Sequence, residues 1–176
     1  LRRLMRRHRL HAYFVPSADP HQSEYVPACW KRRQFLTGFT GSAGDAVVTL
    51  DKAGLWTDSR YFLQAERELA GSGFELFKAG RPGVPSWKEW AAAELRAGQV
   101  LGFDPRLLSV KEHAELAGLF ADRGLRLKPI ETNLVDEIWA DRPAEPSGRL
   151  SLHPNKYSGE SAAAKLGRLR QKMDEE

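Results

Sequence analysis

Cysteine is nearly absent from this chain of 176 residues: Cys29 stands alone, so no intramolecular disulfide and no cysteine zinc site can form. That count is compatible with a reducing, cytoplasmic setting, which is the expected location. No apolar run approaches the roughly 18 residues that span a bilayer, so no transmembrane helix and no membrane partner are predicted. No GxSxG elbow is present, which leaves no hydrolase nucleophile to assign. The five histidines (His8, His11, His21, His113 and His153) show no HxxxH or HExxH spacing. No internal repeat occurs, and no apolar h-region follows the basic opening, so a secretory signal is not expected. The chain opens on Leu1, from which we expect an upstream piece.

What is present is an ordinary globular composition, 41% hydrophobic and 28% charged with a formal net charge of +4. Much of the positive excess lies in Arg2, Arg3, Arg6, Arg7 and Arg9. Such a run suits a nucleic-acid or membrane contact. The reading we adopt is a solvated first helix with Leu1, Leu4 and Met5 turned inward, because a strand follows with no linker. Trp30, Lys31, Arg32 and Arg33 are likewise read as a solvated charged face, and no nucleic-acid partner is expected.

Strand and helix signals alternate. Ala12 to Val15 and the β-branched Ala46 to Leu50 read as strands, and the turn Asp51 to Gly54 returns the chain into Leu55 to Thr57 as a hairpin. Asp58 is a natural N-cap for a helix through about Leu69. Phe74 to Phe77, Val100 to Phe103 and Leu125 to Ile130 read as further strands. Ser86 with Glu89, and Ser109 with Glu112, are capping boxes for two more helices. Asn133 to Trp139 is expected as a final helical turn or two. The pattern predicts an α/β domain, a mixed sheet covered by helices, since the hairpin forces at least one antiparallel pair. Residues 1–142 are expected to form this domain, 143–158 a Pro/Gly/Ser-rich linker, and 159–176 the first helix of a truncated second domain, with Leu166, Leu169 and Met173 apolar.

Few residues are candidates for chemistry. The glycines at 38, 41 and 44 are spaced three apart and followed by a strand, without the lysine of a phosphate loop, so a tight turn is the favoured reading. Asp19, His21 and Glu24 share one loop and, with Asp58, could approach a divalent ion. The preferred reading is that they satisfy backbone groups. Arg60 stands in the first turn of a helix, where the macrodipole disfavours a cation. It therefore answers either to a carboxylate within the protein or to a ligand's anionic or carbonyl group.

Several long motifs occur in one order: Val15-Pro16-Ser17, Asp19 to Tyr25, Arg32 to Gly44, Trp56 to Ala65, Gly102 to Pro105, and Asn133 to Trp139 with Asp141-Arg142-Pro143. Together they resemble the amino-terminal, non-catalytic domain of the Xaa-Pro aminopeptidases, in the creatinase/prolidase group. The resemblance implies a ribonuclease H-like motif in the sheet. It implies a metallopeptidase that removes an N-terminal residue preceding proline, so that peptides with proline at the second position are its substrates. It also implies two manganese ions held by two Asp, one His and two Glu of a later domain, none of which maps onto this chain. This domain would then shape the substrate cleft and take part in a homodimer, with no catalytic residue and no metal ligand of its own. An arginine in the motif WTD-x-R-Y, which reaches the substrate, maps onto Arg60. Ser59 replaces the glycine common before it, which should alter loop freedom but keep the guanidinium. His21 is the second candidate for lining that cleft. A stand-alone binding module without peptidase activity is the alternative.

Overall fold

The computed structural model describes residues 1–175. Its first compact unit, Leu1–Glu145, is built on a six-stranded sheet in the order β4-β3-β2-β1-β5-β6. The strands are β1 (Ala12–Pro16), β2 (Asp45–Thr49), β3 (Ala53–Thr57), β4 (Glu75–Lys78), β5 (Val100–Phe103) and β6 (Arg126–Pro129). β2 is antiparallel to both β1 and β3, while β1–β5, β3–β4 and β5–β6 are parallel. The sheet is therefore mixed, as the hairpin required, and every strand except β2 runs in one direction. The hairpin turn is tighter than the sequence suggested. The Thr49 hydroxyl accepts the N–H of Lys52 at 2.9 Å, so β3 begins at Ala53 and that residue is not part of the turn.

Period-two alternation sends neighbouring side chains to opposite faces, and both faces are covered. Tyr13, Val15, Ala46, Val48 and Leu55 pack with Met5 of α1 (Arg2–Arg7), Ala65 of α3 (Phe62–Glu68), Phe39, Leu134 and Val135. Ala12, Phe14, Val47 and Trp56 pack with Trp87 and Trp90 of α4 (Trp87–Glu94) and with Leu116 and Phe120 of α5 (Val110–Ala121). Phe14 stacks on Trp87 at 3.8 Å, and Trp56 stacks on Phe77 at 4.4 Å while donating its indole N–H to the Pro85 carbonyl at 2.8 Å. That last bond satisfies the Trp56 indole N–H within an otherwise largely apolar cluster. Both capping boxes form: Glu89 N–H reaches Ser86 Oγ at 3.3 Å and Glu112 N–H reaches Ser109 Oγ at 3.2 Å, each answered by the glutamate carboxylate on the serine N–H. The first helix is short but placed as expected, with Met5 buried and Leu1 and Leu4 against the core.

Two expectations fail. Arg32 and Arg33, on α2 (Arg32–Thr37), are not a solvated face: they are 1% and 4% exposed. Arg32 meets Asp136 in a bidentate pair at 2.6 and 2.8 Å. Arg142 adds a contact to the same carboxylate at 3.1 Å and donates to the Cys29 carbonyl at 2.7 Å. Asn133 to Trp139 is a run of turns rather than a helix, closed by Asp136 N–H to Asn133 O and Ile138 N–H to Val135 O. The bonds span three residues rather than four, so no α-helical turn closes, and the Asn133 side chain caps the first of them by accepting the Val135 N–H at 3.0 Å.

Residues 142–154 form no helix or strand, and a second unit begins at Pro146. It contains α6 (Asn155–Ser158), inside the stretch expected as linker, and α7 (Ala162–Glu175), on which Leu166, Leu169 and Met173 are exposed.

Removing one partner of a buried pair leaves the other charge uncompensated. Asp136→Ala should therefore lower unfolding stability by about 3–5 kcal/mol, measured by chemical denaturation. A loss below about 1 kcal/mol, the range of a surface pair, would show that the arginine does not depend on it.

Candidate functional site

Because β1, β3, β4, β5 and β6 point the same way, their C-terminal ends meet at one edge of the sheet, together with the start of β2. That edge is where open α/β sheets hold ligands. It gathers the loop from Ser17 to Lys31, the glycine loop from Gly38 to Gly44, and the turns opening at Asp58 and Asp104.

Between the first two loops lies a cavity of about 180 Å³, whose walls include Ser17, Tyr25, Trp30, Arg33, Gly41 and Ser42. Arg33 organises it. Its Nε donates to Ser17 Oγ at 2.9 Å, and its two terminal nitrogens donate to the carbonyls of Phe39 and Gly41. Ser17 passes its own hydroxyl hydrogen to the Gly44 carbonyl at 2.6 Å. The glycine loop thus turns carbonyls, not N–H groups, toward its cation, which is opposite to the arrangement of a phosphate cradle. Gly41 is required sterically. A Cβ there would meet the Phe39 ring and stand 2.8 Å from the Tyr61 ring. The Tyr61 hydroxyl in turn bonds Ser42 Oγ at 2.6 Å.

Asp19 is buried and accepts the N–H groups of His21 at 2.8 Å and Ser23 at 3.1 Å. Burial alone would raise its carboxyl, but those donors hold it below the usual carboxylate range. The Asp19 turn therefore serves the backbone. His21 is exposed, its ring edge-on to Trp30 at 5.6 Å. Among the described residues no group of three His, Cys, Asp or Glu side chains could hold a metal ion. The donor set here does not fit a di-metal centre.

Arg60 is 67% exposed and forks onto Asp58, Nε to Oδ1 at 2.9 Å and Nη2 to Oδ2 at 2.7 Å. Asp58 also caps the turn by accepting the Arg60 N–H at 3.0 Å. Its hydrogen bonds from Arg60 hold the Asp58 carboxyl below its ordinary range and raise the guanidinium. The helix-terminal cation is thereby neutralised locally. The same device recurs after β5: Arg106 forks onto Asp104 at 3.1 and 2.9 Å, a pairing the sequence reading did not pick out although the spacing Asp-x-Arg marks both. Arg60 and His21 share the sheet edge, and no hydrogen bond joins them. Neither lines the cavity: His21 abuts Trp30, which does, while Arg60 lies over the Tyr61 ring, whose hydroxyl reaches the lining residue Ser42. Cys29 is buried and offers no exposed thiol.

A two-faced mixed sheet with a cavity at its C-terminal strand ends defines an α/β domain built to present loops on one edge. The Creatinase/Prolidase N-terminal domain model matches residues 1–138, and the chain belongs to that family. Its relatives include the "Probable Xaa-Pro aminopeptidase P" of Penicillium rubens, 43% identical over 99% of this chain and 28% of its own length. The protein of the same description from Talaromyces marneffei is 44% identical over 98% of this chain and 26% of its own. The structure is similar to the X-prolyl aminopeptidase of Caenorhabditis elegans, described as a cytosolic enzyme with a di-nuclear active site. That match has a TM-score of 0.84 and 37% identity, covering 94% of this chain and 27% of the other. The N-terminal domain of the peptidase PepQ from Mycobacterium tuberculosis shares the fold, with a TM-score of 0.55 at 22% identity over 78% of this chain and 93% of its own.

Gly41→Ala should cost about 1–3 kcal/mol, since two packed rings must move to admit one methyl group. Thermal or denaturant unfolding reads this directly. An unchanged midpoint would mean that the loop is not packed as described.

Proposed function

We propose that this chain is the N-terminal portion of an Xaa-Pro aminopeptidase acting on peptides with proline at the second position. In this reading it shapes the substrate cleft and takes part in subunit association as a homodimer in the cytoplasm, and residues 143–158 link its domain to the next. The supporting observation is a likeness along almost the whole chain, at 43% identity and with a TM-score of 0.84, to proteins of which it spans barely more than a quarter.

The chemistry would come from two metal ions, manganese in this reading, which activate water when bound. The described residues do not supply their donors, so no hydrolytic step is assigned to this chain. Its own contribution is orientation. Arg60 uses Nε and Nη2 on Asp58, which leaves Nη1 to donate to a carbonyl or carboxylate of a bound peptide. Asp58 fixes the plane of that fork before the peptide arrives, which lowers the ordering cost of each bond formed. His21, standing out beside Trp30, is assigned a secondary role on the same edge.

In the full-length enzyme, Arg60→Ala should lower kcat/KM for an Xaa-Pro peptide by roughly 10- to 100-fold, the worth of a hydrogen bond to a charged group. Its thermal midpoint should stay close to that of the parent, because an exposed pair contributes little stability. Kinetics indistinguishable from the parent would remove Arg60 from the site. The isolated 176-residue chain supplied with manganese should release no N-terminal residue from such peptides, and metal-dependent release would overturn the assignment of chemistry elsewhere.

A further inference from the structure

Arg32 and Arg33 are equally buried but not equally compensated. Arg32 has the Asp136 carboxylate. Every hydrogen-bond partner of Arg33 is neutral: a serine hydroxyl and two carbonyls. None of the ion pairs among the described residues involves it. Asp45 and Glu68 act on it only through their field, and Glu68 is already engaged by the Thr40 N–H and hydroxyl, both at 2.7 Å, and by Gln64 at 3.0 Å. Burial pulls the Arg33 guanidinium down to about 10, which still leaves it cationic at neutral pH. Native proteins pair buried charges, and a buried cation whose contacts are all neutral, with carboxylates acting only from a distance, lacks the contacting counter-charge that such burial favours.

That cation lines the cavity. Of the five N–H donors of a guanidinium, three are used by the partners above. The cavity wall carries a second cation, Lys31, and one carboxylate, Glu24, on the exposed side. The rest includes the aromatic rings of Tyr25 and Trp30 and the apolar Pro16 and Val26. Charge and lining together match a small organic anion: one acidic group for the cations and an apolar body for the rings.

We infer that this cavity is a binding site for a carboxylate, held by Arg33 and Lys31, with the carbon skeleton against Trp30 and Tyr25. The carboxylate belongs either to a small free acid or to the end of a peptide. The site does not depend on the peptidase reading, since binding is measured on this protein with no hydrolysis involved.

The test is a titration of the protein with N-acetyl-leucine and N-acetyl-leucinamide, and with one tetrapeptide in free-acid and amidated forms. Arginine Nε–Hε resonances and tryptophan fluorescence report binding. At least one acid should bind saturably, with an affinity tenfold or more above its amide, and shift the Arg33 resonance. Lys31→Gln should weaken the acid several-fold without affecting the amide, and Glu24→Gln should strengthen it; both changes are at exposed positions, so the fold is retained. Binding of the small acid alone assigns the site to free acids, and binding of the tetrapeptide alone assigns it to peptide ends. The inference is overturned if acids and amides are indistinguishable. It is also overturned if Glu24→Gln shifts the Arg33 resonance while no acid binds, because Glu24 would then be the missing counter-charge.

Discussion

Two neighbouring arginines inside the protein tie the glycine loop and the segment after β6 to the body of the domain. Consecutive residues on a helix are rotated by roughly 100°, so Arg32 and Arg33 serve different elements from one short helix. Arg32 grips Asp136 and, through Arg142 on the same carboxylate, the segment that closes the domain after β6. Arg33 grips the carbonyls of the glycine loop and the serine that follows β1. Depriving a buried guanidinium of an acceptor is costly, which favours keeping each of these contacts, although Arg32 Nη1 is itself buried without a partner. Lysine could not substitute, having three donors on one nitrogen where the site uses a planar fork in three directions.

The parts of the fold that could be read from the sequence are those decided locally. The strands at Ala12, Ala46 and Val100 announce themselves by β-branched and apolar runs. The two Ser-x-x-Glu boxes mark helix starts because serine and glutamate satisfy orphan N–H groups within one turn. The failures share a different cause. Arg32 looks like part of a solvated charge run until Asp136, 104 residues away, is brought beside it. Asn133 to Trp139 carries apolar residues at helical spacing, yet its backbone bonds close over three residues and its Asp136 is held by Arg32. Both segments are held by partners distant in the chain, which periodicity does not record.

The site divides in the same way. The position of Arg60 at a helix start posed a definite electrostatic question, and Asp58 answers it two residues away. The chemistry of Asp104 and Arg106 is identical in spacing and geometry, but there the carboxylate is 1% exposed and also bound by Asn133 at 3.0 Å. The two pairs differ in the carboxylate's surroundings: Asp104 is buried, whereas Asp58 is 40% exposed. Arg33 was visible only as a charge, because its burial and its neutral partners exist only once the glycine loop has closed over it.

The direction of the strands explains why these groups share one edge, and their sign explains what that edge can do. Arg33, Lys31 and Arg60 project cations there. Most acidic residues nearby are engaged: Asp19 through Oδ1 by backbone N–H groups, Asp58 by Arg60, Glu68 by Thr40 and Gln64, while Glu24 stands exposed at the cavity wall. An edge with free donors and mostly occupied carboxylates can orient carbonyls and anions, which is a binding task. Among the described residues, no three carboxylate, histidine or cysteine groups converge there as a divalent ion demands. The charges this edge leaves unspent are thus mostly hydrogen-bond donors, suited to orienting a carbonyl or an anion.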